Sequence, residues 1–268
     1  MAKKLVVSIV VALLFTALSA CPSHAISLRI DTPKVQLELA PGQVYTGEIV
    51  VENPTDEEIA VKVYLQDWFY KDSGAGEKEF LPVGSLPLSA SNWINFSPAE
   101  TPLKPFSRAT VRYTITVPQD VKGGYYSLLF FETLIGTTVD EEGASVNIAA
   151  RLGASFFIEV KGTVDRKGEI QSLELRAPEG NKPLEIETTF HNTGNVDISL
   201  TGNFLIMDSE GKIQGRGSLE TIYTFPGGVA TRETEWFGRL PKGTHQVVLT
   251  YSLGKGQSLV EERALTIA

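Results

Sequence analysis

The chain has 268 residues, with 24 Lys+Arg against 32 Asp+Glu, 42% hydrophobic and 21% charged residues, which is globular composition and long enough for one large domain or two ordinary ones. A formal net charge of -8 argues against a surface for phosphate backbones, and so against nucleic acid as a partner. A single Cys excludes an intrachain disulfide and any Cys-based zinc or iron–sulfur cluster.

The first elements in chain order belong to export. Lys3 and Lys4 precede an apolar stretch from Leu5 to Leu18, shorter than the roughly 20 residues needed to span a bilayer. Pro22 ends it, and Ser23-His24-Ala25 supplies the small residues that signal peptidase accepts, which predicts a signal peptide over 1–25. The alternative is Leu18-Ser19-Ala20-Cys21, which looks like a bacterial lipobox and would make Cys21 the lipidated first residue. Either route exports the protein, to the periplasm or outside, or to a lipid-anchored place in the envelope. Losing Lys3 and Lys4 lowers the net charge from -8 by two, to -10. No second long apolar run follows, so no membrane span is expected.

From Ile26 onward the dominant period is two. Ile59, Val61, Val63 and Leu65 alternate with Ala60, Lys62, Tyr64 and Gln66; Val111, Tyr113, Ile115 and Val117 alternate with Thr110, Arg112, Thr114 and Thr116; Leu184, Ile186, Thr188 and Phe190 alternate with Glu185, Glu187, Thr189 and His191. Many such runs, separated by Gly, Pro and Asn, predict an all-β sandwich. Two halves echo each other. Asn53-Pro54-Thr55 and Asn192-Thr193-Gly194 both end a strand and precede another alternating run, and Val117-Pro118 and Leu240-Pro241 both lead to Gly-opened strands. This predicts two immunoglobulin-like sandwiches in tandem, over 26–162 and 163–268, joined by a short charged connector near Gly162–Gly168. The excursion Asp72–Ser91, rich in Gly, Ser and Pro, reads either as a functional loop or as a plain mobile one.

A search for chemistry finds little. His191 and His245 stand alone and read as exposed strand-face residues. There is no nucleophile elbow and no phosphate loop. Asp140-Glu141-Glu142-Gly143 lacks the alternating carboxylates of a calcium loop and reads as a hairpin tip. No catalytic residue, metal or cofactor is expected, and the chain reads as non-enzymatic.

Two segments are too apolar for one core. In 146–160 every second residue is apolar, beginning with Val146, Ile148, Ala150 and Leu152. At about 3.3 Å per residue the run reaches about 50 Å, longer than a usual strand. It either crosses the whole domain or overhangs as an exposed edge, which is a template for a strand from a protein partner. Tyr125–Phe131 is apolar on both faces, and Tyr64, Trp68 and Tyr70 fall out of phase with Ile59, Val61 and Val63. Tyr64, Trp68, Tyr126 and Phe130 are therefore expected to form one aromatic interface on the outer face of a sheet, serving as an interdomain seam or a ligand site, unless a bulge near Asp67 turns Trp68 inward.

Taken together, Asn92-Trp93-Ile94-Asn95-Phe96-Ser97-Pro98, Leu103-Lys104-Pro105, Ala109–Tyr113, Val117-Pro118 and Gly123-Gly124-Tyr125-Tyr126-Ser127 resemble the first domain of bacterial pilus-assembly chaperones. The same Trp, Pro and Gly-Gly-Tyr order also resembles surface proteins that interact with WxL partners. The chaperone resemblance implies a strand lent to an incomplete pilin-like or other envelope subunit, here Val146, Ile148, Ala150 and Leu152. It also implies a basic pair, one early and one late in the long strand, that grips the subunit's terminal carboxylate. Arg29 and Lys34 are candidate early bases and Arg151 a candidate late one, while Ala154-Ser155-Phe156-Phe157 carries no Lys. The expected function is an exported chaperone-like binding protein that assists assembly of surface fibres or envelope proteins. The alternative is a structural or adhesive envelope module.

Overall fold

Pro33 cannot donate to a sheet ladder, and the N-terminal strand breaks there. In a computed structural model, which describes residues 28–140, 142–178 and 182–267, β1 (Arg29–Ile30) lies in one sheet and β2 (Lys34–Leu39) in the facing one. The expected leader 1–25, the expected cleavage site and Cys21 lie outside the described residues. β3 (Val44–Glu52), β4 (Ile59–Tyr70), β5 (Lys78–Leu81), β6 (Ile94–Ser97), β7 (Glu100–Leu103), β8 (Arg108–Thr116), β9 (Gly124–Val139) and β10 (Ser145–Val160) complete the first sandwich. One sheet runs β1-β3-β8-β6; the other runs β2-β10-β9-β4-β5, with β7 also paired to β4.

The period-two runs bury as their alternation dictates. Ile49, Val51, Val111 and Ile115 from one sheet meet Val61, Leu129, Phe131, Phe156 and Ile158 from the other, all fully buried. The second sandwich comprises β11 (Glu169–Arg176), β12 (Leu184–His191), β13 (Ile198–Met207), β14 (Ile213–Thr224), β15 (Val229–Trp236), β16 (Gly243–Gly254) and β17 (Gln257–Ile267). Its sheets are β11-β12-β15 and β14-β13-β16-β17, around Phe190, Phe204, Ile186 and Tyr251. The chain is thus all-β, two immunoglobulin-like sandwiches in tandem. Among the described residues no helix is long and apolar enough to cross a membrane.

The echo between the halves has a physical cause. Asn53 is fully buried; its side-chain oxygen accepts from the Thr55 amide at 3.0 Å, and its Nδ2 donates to the carbonyls of Glu57, Leu103 and Lys104 at 2.7–3.1 Å. Asn192 does the same work, accepting from the Gly194 amide at 3.0 Å and donating to the Val196 carbonyl at 2.9 Å. Each Asn satisfies backbone groups that the strand end leaves unpaired. Asn53→Ala is expected to lower stability by about 1–3 kcal/mol, read as a lower urea midpoint, because buried carbonyls lose their donor.

The lone histidines differ from the exposed pair expected. His191 is partly exposed, with Nδ1 3.3 Å from Glu169 Oε1. His245 is buried, because it alternates in phase with Val247, Leu249 and Tyr251 along β16. Its Nε2 donates to the Pro241 carbonyl at 2.8 Å, which supplies a polar partner inside the sandwich end. The Asp72–Ser91 excursion contains β5, a true strand paired Trp68↔Phe80 and Tyr70↔Lys78.

Candidate functional site

β10 is held on one side along its whole length by β9, but on the other side β2 reaches only its second half, from Ser155 to Val160. Among the described residues, no strand pairs with Ser145–Ala154 on that side. The β9–β4 pairing ends at Lys62↔Glu132, so beyond it β9 and β10 project as a two-stranded ribbon. Ile135 is an extra residue in β9, since Ile148 pairs with Gly136 and Ala149 with Leu134. The bulge leaves the alternation of β10 intact.

That alternation says which groups are free. The amides of Ser155 and Lys161 point to β2, bonding the carbonyls of Pro33 and Leu39 at 3.0 and 2.8 Å, whereas Val160 bonds the Gly123 carbonyl at the start of β9. Odd residues therefore face β2, and the backbone groups of Asn147, Ala149, Arg151 and Gly153 face the open edge. The even side chains Val146, Ile148, Ala150 and Leu152 lie on the same sheet face as the buried Ala154, Phe156 and Ile158. Val146 and Ile148 are 42% and 44% exposed; Ala150 is half-buried and Leu152 packs on the first core.

The outer face of the same sheet carries the aromatics. Tyr64, Trp68, Tyr126 and Phe130 all lie there, in a straight β4 with no bulge at Asp67. They divide into two groups. Tyr64 and Phe130, 5.6 Å apart, are covered by Phe80 of β5 and by Arg151, whose guanidinium sits 4.1 Å above Phe130. Trp68 and Tyr126 are covered by Phe225 of the second sandwich, with centroids 5.0 and 4.3 Å away. The sandwiches also meet through the Gly124 amide on the Asn195 carbonyl at 2.8 Å and the Asp197 amide on the Tyr126 hydroxyl at 2.6 Å. Gly123 has φ +80, and a Cβ there would lie 2.3 Å from the Asn195 carbonyl oxygen, so only glycine fits this approach. Burial pushes the Asp197 carboxyl upward, with Arg166 opposing that shift.

Where the open edge stops, two lysines gather. Lys34 stands opposite Ser155 in the β2 register, its ammonium 4.5 Å above the Phe157 ring. Lys78 donates to Ser155 Oγ at 2.9 Å and lies 4.5 Å above the Trp68 ring. Burial, and then the positive charge of Lys34, push the Lys78 ammonium below the usual lysine range. Both ammonium groups thus stand beside Ser155, each with an aromatic face beneath it. Lys34 also opens on an interdomain cleft of about 430 Å3.

Of the bases considered from sequence, Lys34 stands at this point. Arg29 is opposite Glu52 in the other sheet, and Arg151 is engaged with Phe130 and Tyr64. Lys78 was not singled out, because it is distant in sequence from both β2 and β10. The available signal was the alternation Lys78, Phe80 inside the excursion. Phe225 and Phe157 were missed as members of the aromatic group for the same reason; Tyr70, out of phase with the core residues like Tyr64 and Trp68, meets the Trp68 ring at 5.1 Å.

No protein-family model matches the chain, and no curated protein matches it. Among solved structures it is similar to a chain of the chaperone–tip adhesin complex of CFA/I fimbriae biogenesis, at 13% identity and TM-score 0.45, covering 88% of this chain and 98% of that one. It is similar to the CupB2 chaperone of Pseudomonas aeruginosa, at 14% identity and TM-score 0.39, covering 88% and 100%. It is also similar to a chain of the CsuC–CsuE pre-assembly complex from archaic chaperone-usher Csu pili of Acinetobacter baumannii, at 12% identity and TM-score 0.44, covering 88% and 97%. Each of these similarities covers most of the chain's length.

Proposed function

We propose that this chain is an exported, non-enzymatic, chaperone-like binding protein that completes the sheet of a pilin-like or other envelope subunit with β10. The observation that supports this reading is the unpaired edge Ser145–Ala154, with its even side chains apolar and its odd backbone groups free. Main-chain bonds would give affinity, and Val146, Ile148, Ala150 and Leu152 would give selectivity by the depth of pocket each needs. In this reading 26–162 is the binding domain, and 163–268 is a second domain reached through the charged connector. A leader cleaved at Ala25 would deliver the protein to the periplasm.

Lys34 and Lys78 supply the anchor. A strand lying on the open edge parallel to β10 would continue the line of β2 and end beside Lys34 and Ser155, with its terminal carboxylate between the two ammonium groups. The expected late Lys of β10 is absent, and Lys78 from β5 takes its place through Ser155. The test uses a fluorescent ten-residue peptide of alternating apolar and polar residues, made as the free acid and as the C-terminal amide. Anisotropy titration is expected to show the acid binding about tenfold more tightly. Lys34→Ala and Lys78→Ala should each erase that difference. Equal binding of acid and amide to the unaltered protein would remove the anchor from the reading.

A second reading is favoured by the packing of Phe225 against Trp68, Tyr70 and Tyr126. In it the chain is a structural or adhesive envelope module whose aromatic seam only fixes the angle between sandwiches.

A further inference from the structure

Lys78 makes its own contacts within the first sandwich, but the turn that leads to it touches the second. It follows directly on the turn that joins β4 to β5. The tip of that turn sits on the second sandwich, where the Tyr223 amide donates to the Gly74 carbonyl at 3.0 Å. Gly74 is buried with φ +66, and a Cβ there would lie 3.0 Å from the Ala230 Cβ. Gly76, with φ +84, lies against the Tyr223 ring. β5 is only four residues long and is an edge strand, paired on one side with β4.

The side chains repeat the arrangement. The β4 partner of Lys78 is Tyr70, whose ring contacts Tyr223 at 5.5 Å and Phe225 at 4.9 Å. The ring beneath the Lys78 ammonium is Trp68, which contacts Phe225 at 5.0 Å. The ring beneath Lys34 is Phe157, which contacts Trp68 and Tyr126 at 5.5 and 5.7 Å; Tyr126 in turn stacks on Phe225 at 4.3 Å and 23°. Both lysines therefore rest on aromatic rings that Phe225 packs against directly or through one neighbour.

We propose that Phe225, in the second domain, is a positioning residue for the anion site: it holds Trp68 and Tyr70 so that Lys78 reaches Ser155 beside Lys34. The inference rests on the anchoring role given to Lys78 above. By linkage, an anion bound at the lysines tightens the contact between the sandwiches by the same factor by which that contact tightens the anion. The second domain is then a working part of the binding site, although it need not touch the bound strand.

The test separates this coupling from the anchoring role itself. Lysines are reductively dimethylated with 13C in the full protein, and the Lys78 signal is titrated with pH in the absence of ligand. In Phe225→Ala the Lys78 titration should move upward, toward that of an ordinary lysine, as the ammonium loses its buried seat. The acid-over-amide preference for the peptide should fall about tenfold, and Phe225→Tyr should restore both readings. Should Phe225→Ala fail to fold, Tyr223→Ala at the tip of the turn replaces it, with the same expectation. A Lys78 titration identical to that of the unaltered protein in a folded variant overturns the proposal. A shifted titration with equal acid and amide binding by the unaltered protein supports the coupling and removes the anchoring role.

Discussion

Replacing Ile148 with Asp should abolish capture of a strand on β10 while leaving the sandwich folded. Ile148 is 44% exposed and lies beyond the last residue of β9 that pairs with β4, so its side chain leans on no core. A polar substitution at such a site changes stability by about 0.5 kcal/mol or less. In a complex the same side chain would enter the apolar groove of the partner. A carboxylate there, with no partner of its own, costs several kcal/mol, enough for a loss of at least about a hundredfold in affinity. The measurement is copurification of a coexpressed envelope subunit, with peptide anisotropy beside it and a urea midpoint as the fold control. Undiminished capture with an unchanged midpoint would mean that β10 is not the strand lent. Ala154→Asp is the contrasting control, because Ala154 is fully buried in the core and the change should unfold the domain.

The alternation of Ile59–Leu65 and Val146–Val160 was legible because a strand's two faces are written into every second residue, but burial follows that pattern only where a facing sheet covers it, from Leu152 onward in β10. The doubled apolarity of Tyr125–Phe131 likewise required a cover on both sides. What covers it was not legible. Phe225 follows a polar strand and precedes Pro226-Gly227-Gly228, and it reads locally as a turn residue. Its role arises only when the second sandwich is placed on the first. Lys78 and Ser155 meet across 77 positions of sequence, through a register that depends on the length of the β4–β5 turn. The free half of β10 is visible only once β2 is known to start at Lys34, opposite Ser155. Pro33 marked that boundary, but nothing local says which strand it interrupts. His245 was misread because a lone polar residue in an alternating strand looks exposed, although its phase with Val247 and Leu249 places it inside.

Trp68→Ala separates the two functional readings. Trp68 is 1% exposed, its Nε1 donates to the Ser127 carbonyl at 3.2 Å, and its ring meets Tyr70, Tyr126, Phe157 and Phe225 at 5.0–6.2 Å. Removing it should cost about 3–5 kcal/mol, because the cavity forms at a seam of several rings that cannot collapse together. Trp68→Phe keeps most of the ring and loses the donor, for about 1–3 kcal/mol. Both changes are read by urea unfolding, and small-angle scattering should show a longer maximum dimension for Trp68→Ala as the sandwiches come loose. If the seam only fixes the angle between sandwiches, partner capture survives this loosening unchanged. If Lys78 depends on the Trp68 ring for its position over Ser155, the variant keeps the open edge of β10 but loses its preference for a free carboxylate. Acid and amide peptides should then bind Trp68→Ala alike, through main-chain bonds alone, whereas Trp68→Phe retains the preference because Lys78 still has an aromatic face beneath it.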